Sequence, residues 1–155
     1  MIQRIQTVLL FLAFASSLAC FFFPVASFWG ELYTIKLGAL GIEEQFAYEA
    51  EWPNTIMMTV VMGLVGLLAF MTIFIYRRRP TQMKLIRFTM LLNIIYLAII
   101  FFYYVPELEI LTATTADYIN EAGIYLSIVP LIFLLLALRF IRRDEKLVKA
   151  ADRLR

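Results

Sequence analysis

Histidine is absent from this chain, and cysteine occurs once, at Cys20. The first absence removes the commonest general base and the commonest metal ligand. The second forbids an intrachain disulfide and any exchange chemistry that needs paired thiols. Charge is scarce as well: Asp, Glu, Lys and Arg make up 17% of the residues, against about 25% in an ordinary soluble domain. None of these charges lies deep in an apolar run. Buried intramembrane charges are the usual mark of proton relays and ion paths, so a proton-coupled exporter lacks its carboxylate. No Ser-His-Asp set, HExxH, CxxC or glycine-rich phosphate loop occurs. The sequence therefore assigns no catalytic residue, no cofactor and no metal ligand, and it reads as a non-enzyme.

What the chain has in abundance is apolar surface, with 63% of its 155 residues hydrophobic. That surface falls in four blocks, about 5–29, 55–76, 85–105 and 123–141. A helix rises 1.5 Å per residue, so about 20 apolar residues cross a hydrocarbon core about 30 Å thick. Each block is long enough, and lipid demands that backbone groups pair internally, which a helix does. The expectation is one membrane domain over 1–155, an all-α antiparallel bundle of four transmembrane helices. Pro53 and Asn54 suit a helix start before the second block. Pro80 closes the Arg77-Arg78-Arg79 loop, Pro106 is expected to stop the third block, and Pro130 is expected to kink the fourth.

The charges are sorted by segment. Thirteen of 14 basic residues lie before the first block, between the second and third, or at and after the end of the fourth. Near the spans these are Arg4, Arg77, Arg78, Arg79, Lys84, Arg87, Arg139, Arg142, Arg143, Lys146 and Lys149. Nine of 12 acids lie in the other two loops, with Lys36 as their one basic companion. Basic residues flanking spans stay cytoplasmic. Both termini and the Arg-rich loop are therefore predicted inside, and the two acidic loops outside. Four spans agree in parity with two termini on one side. The same basic residues are the candidate contacts to anionic lipid. Trp29, Trp52, Tyr76, Tyr103 and Tyr104 sit at block boundaries, where amphipathic rings form a belt.

The first outer loop carries Glu31-Leu32-Tyr33-Thr34-Ile35-Lys36-Leu37, then Gly38-Ala39-Leu40-Gly41, then Glu44-Gln45-Phe46-Ala47-Tyr48-Glu49. Alternation on either side of a turn reads as a small β-hairpin. After the fourth block, Leu147, Val148, Ala151 and Leu154 share a helical face, and Glu145 and Lys149 form an i, i+4 pair. The basic tail 142–155 is thus expected to continue the fourth helix. Ser17-Leu18-Ala19-Cys20 has the look of a lipoprotein cleavage site, but the residues after it are Phe21-Phe22-Phe23-Pro24 rather than a polar linker. The segment is read as retained, with Cys20 a small buried hydrophobe. Polar residues within the blocks are few; Ser16, Ser17, Asn93 and Ser127 are the candidate interhelical contacts, Asn93 foremost. Small residues at Ala13, Ser17, Gly63 and Gly66 suggest that the first two spans pack together.

The opening Met1-Ile2-Gln3-Arg4-Ile5-Gln6-Thr7, the loop Arg78-Arg79-Pro80 with Gln82, and Pro130 resemble a family of small Bacteroidetes membrane proteins known as domain of unknown function 4293. The resemblance covers the whole chain. Its most specific part is the tail, Arg139-Phe140-Ile141-Arg142-Arg143-Asp144-Glu145-Lys146-Leu147-Val148-Lys149 with Asp152-Arg153-Leu154-Arg155. It implies a four-span protein of the bacterial inner membrane and brings no activity or catalytic residue with it. Of the functions left open, a non-enzymatic interaction or scaffold subunit comes first. Its partners would be the lipid bilayer and other membrane proteins or a second copy, not nucleic acid. A small carrier or channel with a polar cavity near the fourth span is the alternative, and a lipid-acting membrane enzyme a second one.

Overall fold

The computed structural model describes residues 2–29, 34–45, 52–76, 78–111 and 117–153. Helix α1 (Ile2–Ala19) runs into a short 3-10 turn (Cys20–Phe22). Strands β1 (Ala26–Trp29), β2 (Thr34–Leu37) and β3 (Ile42–Gln45) follow, then α2 (Ile56–Phe74). Helix α3 (Arg79–Ile99) passes through a π-helical turn (Ile100–Tyr104) into α4 (Val105–Leu111). Strand β4 (Asp117–Asn120) precedes the long α5 (Ala122–Arg153). Four helical stretches are long and apolar enough to cross a membrane: Ile5–Phe22, Ile56–Phe74, Arg79–Leu111 and Ala122–Val148.

The helices touch in a closed cycle: α1 packs on α2 and α5, and α3 packs on α2 and α5. The short link between α2 and α3 makes those two neighbours, as its length requires. At Gly66 the approach of α1 is close; a Cβ there would lie 3.4 Å from Ser17 Cβ. The other glycine of that pair, Gly63, faces open space.

The four strands form one antiparallel sheet in the order β3-β2-β1-β4. Leu37 pairs with Ile42, so Gly38–Gly41 is the hairpin turn, closed by the Gly38 N–H on the Gly41 carbonyl at 2.8 Å. The same register sets Lys36 opposite Glu43, an opposite-charge pair. The hairpin predicted from alternation is present, while its expected extensions over 31–33 and 46–49 lie outside the described residues.

Two features differ from the sequence expectation. The apolar block read as a single span over 5–29 divides: the helical part ends by Phe22, and Ala26–Trp29 is the central strand β1. An apolar run does not by itself separate helix from strand. Here Pro24 interrupts the helix, and β1 finds partners on both edges, β2 and β4. The third block does not stop at Pro106. Val105 N–H donates to the Ile100 carbonyl, five residues back. A turn widened in this way moves the carbonyl at position 102 clear of the proline ring, which would strike it in a regular α-helix. The fourth block does run on into the tail, in one helix of 32 residues. At 1.5 Å per residue that is about 48 Å, well beyond a hydrocarbon core of about 30 Å.

Two apolar clusters fill the molecule. One joins the sheet to the helix ends beneath it: Val25, Ala26, Phe28, Ile35 and Leu37 pack with Cys20, Met58, Met62, Tyr96, Ile100, Tyr104 and Ile124. The other lies toward the opposite end: Leu10 and Ala13, Ala69, Ile86, and the α5 stripe Leu134, Ala137, Leu138 and Ile141. The sheet is therefore seated on the helices through a shared core. Polar bonds reinforce the seat. Tyr104 OH donates to the Asn54 carbonyl at 2.6 Å, and Thr59 Oγ1 donates to the Ala39 carbonyl at 2.5 Å. Ser27 Oγ donates to Glu121 Oε1 at 2.7 Å, and Trp29 Nε1 donates to Ser27 Oγ at 2.9 Å. Asn54 behaves as its position predicted, its Oδ1 accepting the Ile56 N–H at 2.8 Å.

Candidate functional site

The helix surfaces are inverted relative to a water-soluble protein. Large apolar side chains face outward, with Phe22 and Phe102 more than 80% exposed and Val8, Phe11, Met71, Phe88, Leu91 and Ile132 also exposed. Polar side chains face inward: Ser17, Thr72, Thr89, Asn93 and Ser127 are fully buried. Buried polar groups in such a setting need partners.

One of them, Ser127, finds a partner on another element, between α5, α3 and the 3-10 turn that ends α1. Ser127 Oγ donates to the Gly123 carbonyl one turn back at 2.7 Å, which commits its only proton. Cys20 Sγ lies 3.1 Å from Ser127 Oγ and 3.7 Å from Tyr96 OH. Cys20 Sγ also lies 3.6 Å from the Gly123 carbonyl, so its single proton serves that carbonyl or Ser127 Oγ, while Tyr96 OH is left to donate to Cys20 Sγ. This chain crosses three helices. It links Ser127 to Cys20 and makes Cys20 more than an apolar filler. Ser16 and Ser17 instead return their hydroxyls to their own helix, Ser17 to the Ala13 carbonyl at 2.8 Å and Ser16 to the Leu12 carbonyl at 2.8 Å. Asn93 is 0% exposed, and neither its amide nitrogen nor its amide oxygen has a hydrogen-bond partner. Pro130 is buried within α5.

A second polar contact lies at the end away from the sheet. Gln6 Nε2 donates to Asp144 Oδ2 at 2.7 Å, tying the start of α1 to the tail half of α5. Neither residue stands out in the sequence by a local motif. The signal was available: Asp144 continues the buried α5 stripe of Ala137 and Ile141 by one more turn, and an acid on an apolar stripe asks for a partner. The Gln82 amide likewise caps the Thr72 carbonyl at 3.2 Å across the α2–α3 link.

The basic residues gather at this same end. Arg78, Lys84 and Arg87 are exposed near the start of α3, and Arg79 is half-buried with one guanidinium nitrogen unpartnered. Arg139, Arg142, Arg143 and Lys146 are exposed on α5. With Leu135, Leu136 and Leu138 they line a groove of about 570 Å³. Arg77 and the side chains of Arg4 and Lys149 lie outside the described residues. At the sheet end a groove of about 340 Å³ runs between Phe21–Pro24 and the β2–β3 hairpin, with Lys36 and Glu43 on its wall. Among the described residues no three His, Cys, Asp or Glu side chains converge as metal ligands do.

Four apolar helices with a strand sheet seated on one end and cations collected at the other define a small helical protein with membrane-span character. The chain belongs to the family described as domain of unknown function DUF4293, whose model matches residues 2–154. No curated protein matches it.

Proposed function

We propose that this protein is a non-enzymatic interaction or scaffold subunit of the bacterial inner membrane. Its four helices cross the bilayer as an antiparallel bundle, both termini lie in the cytoplasm, and the sheet stands on the outer face. The observation that carries the reading is the sheet itself. A two-stranded hairpin is marginal in water, yet here both loops at one end contribute strands to a single sheet that shares a core with the helix ends. Such a construction holds a defined surface in place. The charge distribution supports the sidedness. Glu43, Glu107, Glu109 and Glu121 belong to the sheet end, whereas Arg78, Lys84, Arg87 and the α5 cations belong to the other. The apolar outward faces of the helices are what lipid contact requires.

The test is site-specific photocrosslinking in native membranes from Leu40, the exposed hairpin tip, with Phe102 as a lipid-facing control. The reading expects one reproducible protein adduct from Leu40 and none from Phe102. Absence of any adduct from Leu40 and from neighbouring sheet positions would count against it.

A second reading, a small carrier, draws on one specific observation: Asn93, unpartnered, lies among the polar residues buried between the helices. Purified protein in liposomes would have to pass a polar solute at a rate lost on Asn93→Leu.

A further inference from the structure

We infer that the groove at the far end of α5 is a binding site for an anionic phospholipid of the cytoplasmic leaflet. The inference rests on the reading that the helices span a membrane.

Three observations converge on it. First, the groove combines two chemistries in helical order. Leu135 and Leu136 lie about one turn before Arg139, and Arg142, Arg143 and Lys146 follow at i+3 to i+7 from that arginine. Apolar wall and cations are thus arranged along the helix axis, as acyl chain and headgroup are along the membrane normal. Second, the cations are free to act. Arg139, Arg142, Arg143 and Lys146 make no ion pair or hydrogen bond with another described residue, and all four are exposed. Of the two adjacent acids, Asp144 is turned into the core and held by Gln6, and neither it nor Glu145 is among the described residues that line the groove. Third, the depth is right. Leu135 is an exposed apolar residue on the helix, and Lys146 lies eleven residues beyond it, about 16 Å along the axis. The groove therefore starts within the hydrocarbon region and ends in the headgroup layer.

Ordinary sorting of positive charge to the cytoplasm needs cations near span ends. It does not need them to share one concave surface with leucines and to be without protein partners. Arginine guanidinium groups grip phosphate oxygens through paired N–H donors. The leucines below them give a diacyl chain a wall that a soluble phosphate cannot use.

Native mass spectrometry of the full-length protein, purified in a neutral maltoside detergent, reads the site directly. Added phosphatidylglycerol should be retained in preference to phosphatidylcholine. The triple variant R139Q/R142Q/R143Q should lose at least about tenfold of that retention. The variant R78Q/K84Q/R87Q, which removes three cations from the other cytoplasmic segment, should stay within about twofold of the parent. Millimolar inorganic phosphate should not displace the lipid. Equal retention of the two lipids by the unmodified protein would overturn the inference without any variant. So would equal loss in both triple variants, or displacement by phosphate alone, which would mark a soluble-anion site. An alkaline carbonate wash of membranes separates the two layers of the claim. Release of the protein would remove the spanning reading, whereas a protein that stays in the pellet but shows no lipid preference removes only the lipid site.

Discussion

At the scale of single residues, the molecule treats its buried polar groups in two ways. Asp144 Oδ2 accepts the Gln6 amide N–H at 2.7 Å while Asp144 Oδ1 is left without a partner, whereas Asn93 is buried with neither amide atom bound. The two cases predict opposite responses to truncation. Gln6→Ala leaves the buried Asp144 carboxyl without its donor and should cost about 1–3 kcal/mol. Asn93→Ala removes an amide that was already unpaired. The relief from that burial offsets the lost packing, and stability should change by less than about 1 kcal/mol. Thermal unfolding of the two variants in the same detergent checks the contrast. If Asn93→Ala is the more damaging of the two, Asn93 has a partner that the packing of the four helices does not reveal. The Tyr96–Cys20–Ser127 chain was illegible in the sequence for a simple reason: Cys20 and Ser127 are 107 positions apart, and no local pattern joins them. Asn93 was legible as an amide in an apolar run. Its lack of a partner was not, because partnering belongs to tertiary structure.

At the scale of elements, the long blocks were readable and the short strands mostly were not. Run length identifies a span with little competition, and all four blocks hold helices. The β2–β3 hairpin was readable because Ile35 and Leu37 alternate with Thr34 and Lys36, and because Gly38–Gly41 offers a turn. Strand β1 was hidden inside an apolar run, and β4 reads Asp117-Tyr118-Ile119-Asn120, in which polar and apolar residues do not alternate. Both exist because they complete a sheet around each other. Gly123 shows what that completion demands. It donates its N–H to the Pro24 carbonyl at 2.8 Å, and a Cβ on it would lie 2.7 Å from the Phe23 carbonyl oxygen and closer still to that of Pro24. The contacts are backbone, so no side-chain rotation relieves them. Gly123→Ala should force the start of α5 away from the β1 approach and destabilise the sheet end by about 1–3 kcal/mol. Gly63→Ala, which meets nothing within 4 Å, should be neutral or slightly stabilising by helix propensity. Hydrogen exchange of the β1 and β4 amides in the two variants distinguishes a local loosening from a global one.

At the scale of the whole molecule, sequence and structure meet in one polarity. Most of the described acidic residues and the sheet occupy one end, most of the described basic residues and the α5 tail the other, and the belt between them is apolar on its outside. A water-soluble arrangement would leave that belt as a large exposed apolar surface; a bilayer covers it. The interaction surface and the lipid groove proposed above both depend on this threading. It can be read in intact cells with single-cysteine variants. Cys20 is the only cysteine and is buried, so Cys20→Ser gives a clean background for Leu40→Cys at the hairpin tip and Thr81→Cys near the start of α3, both exposed positions. A membrane-impermeant maleimide should label Leu40→Cys in intact spheroplasts and reach Thr81→Cys only after lysis. Labelling of Thr81→Cys before lysis, with Leu40→Cys protected, would mean that the chain is threaded the other way or does not span at all.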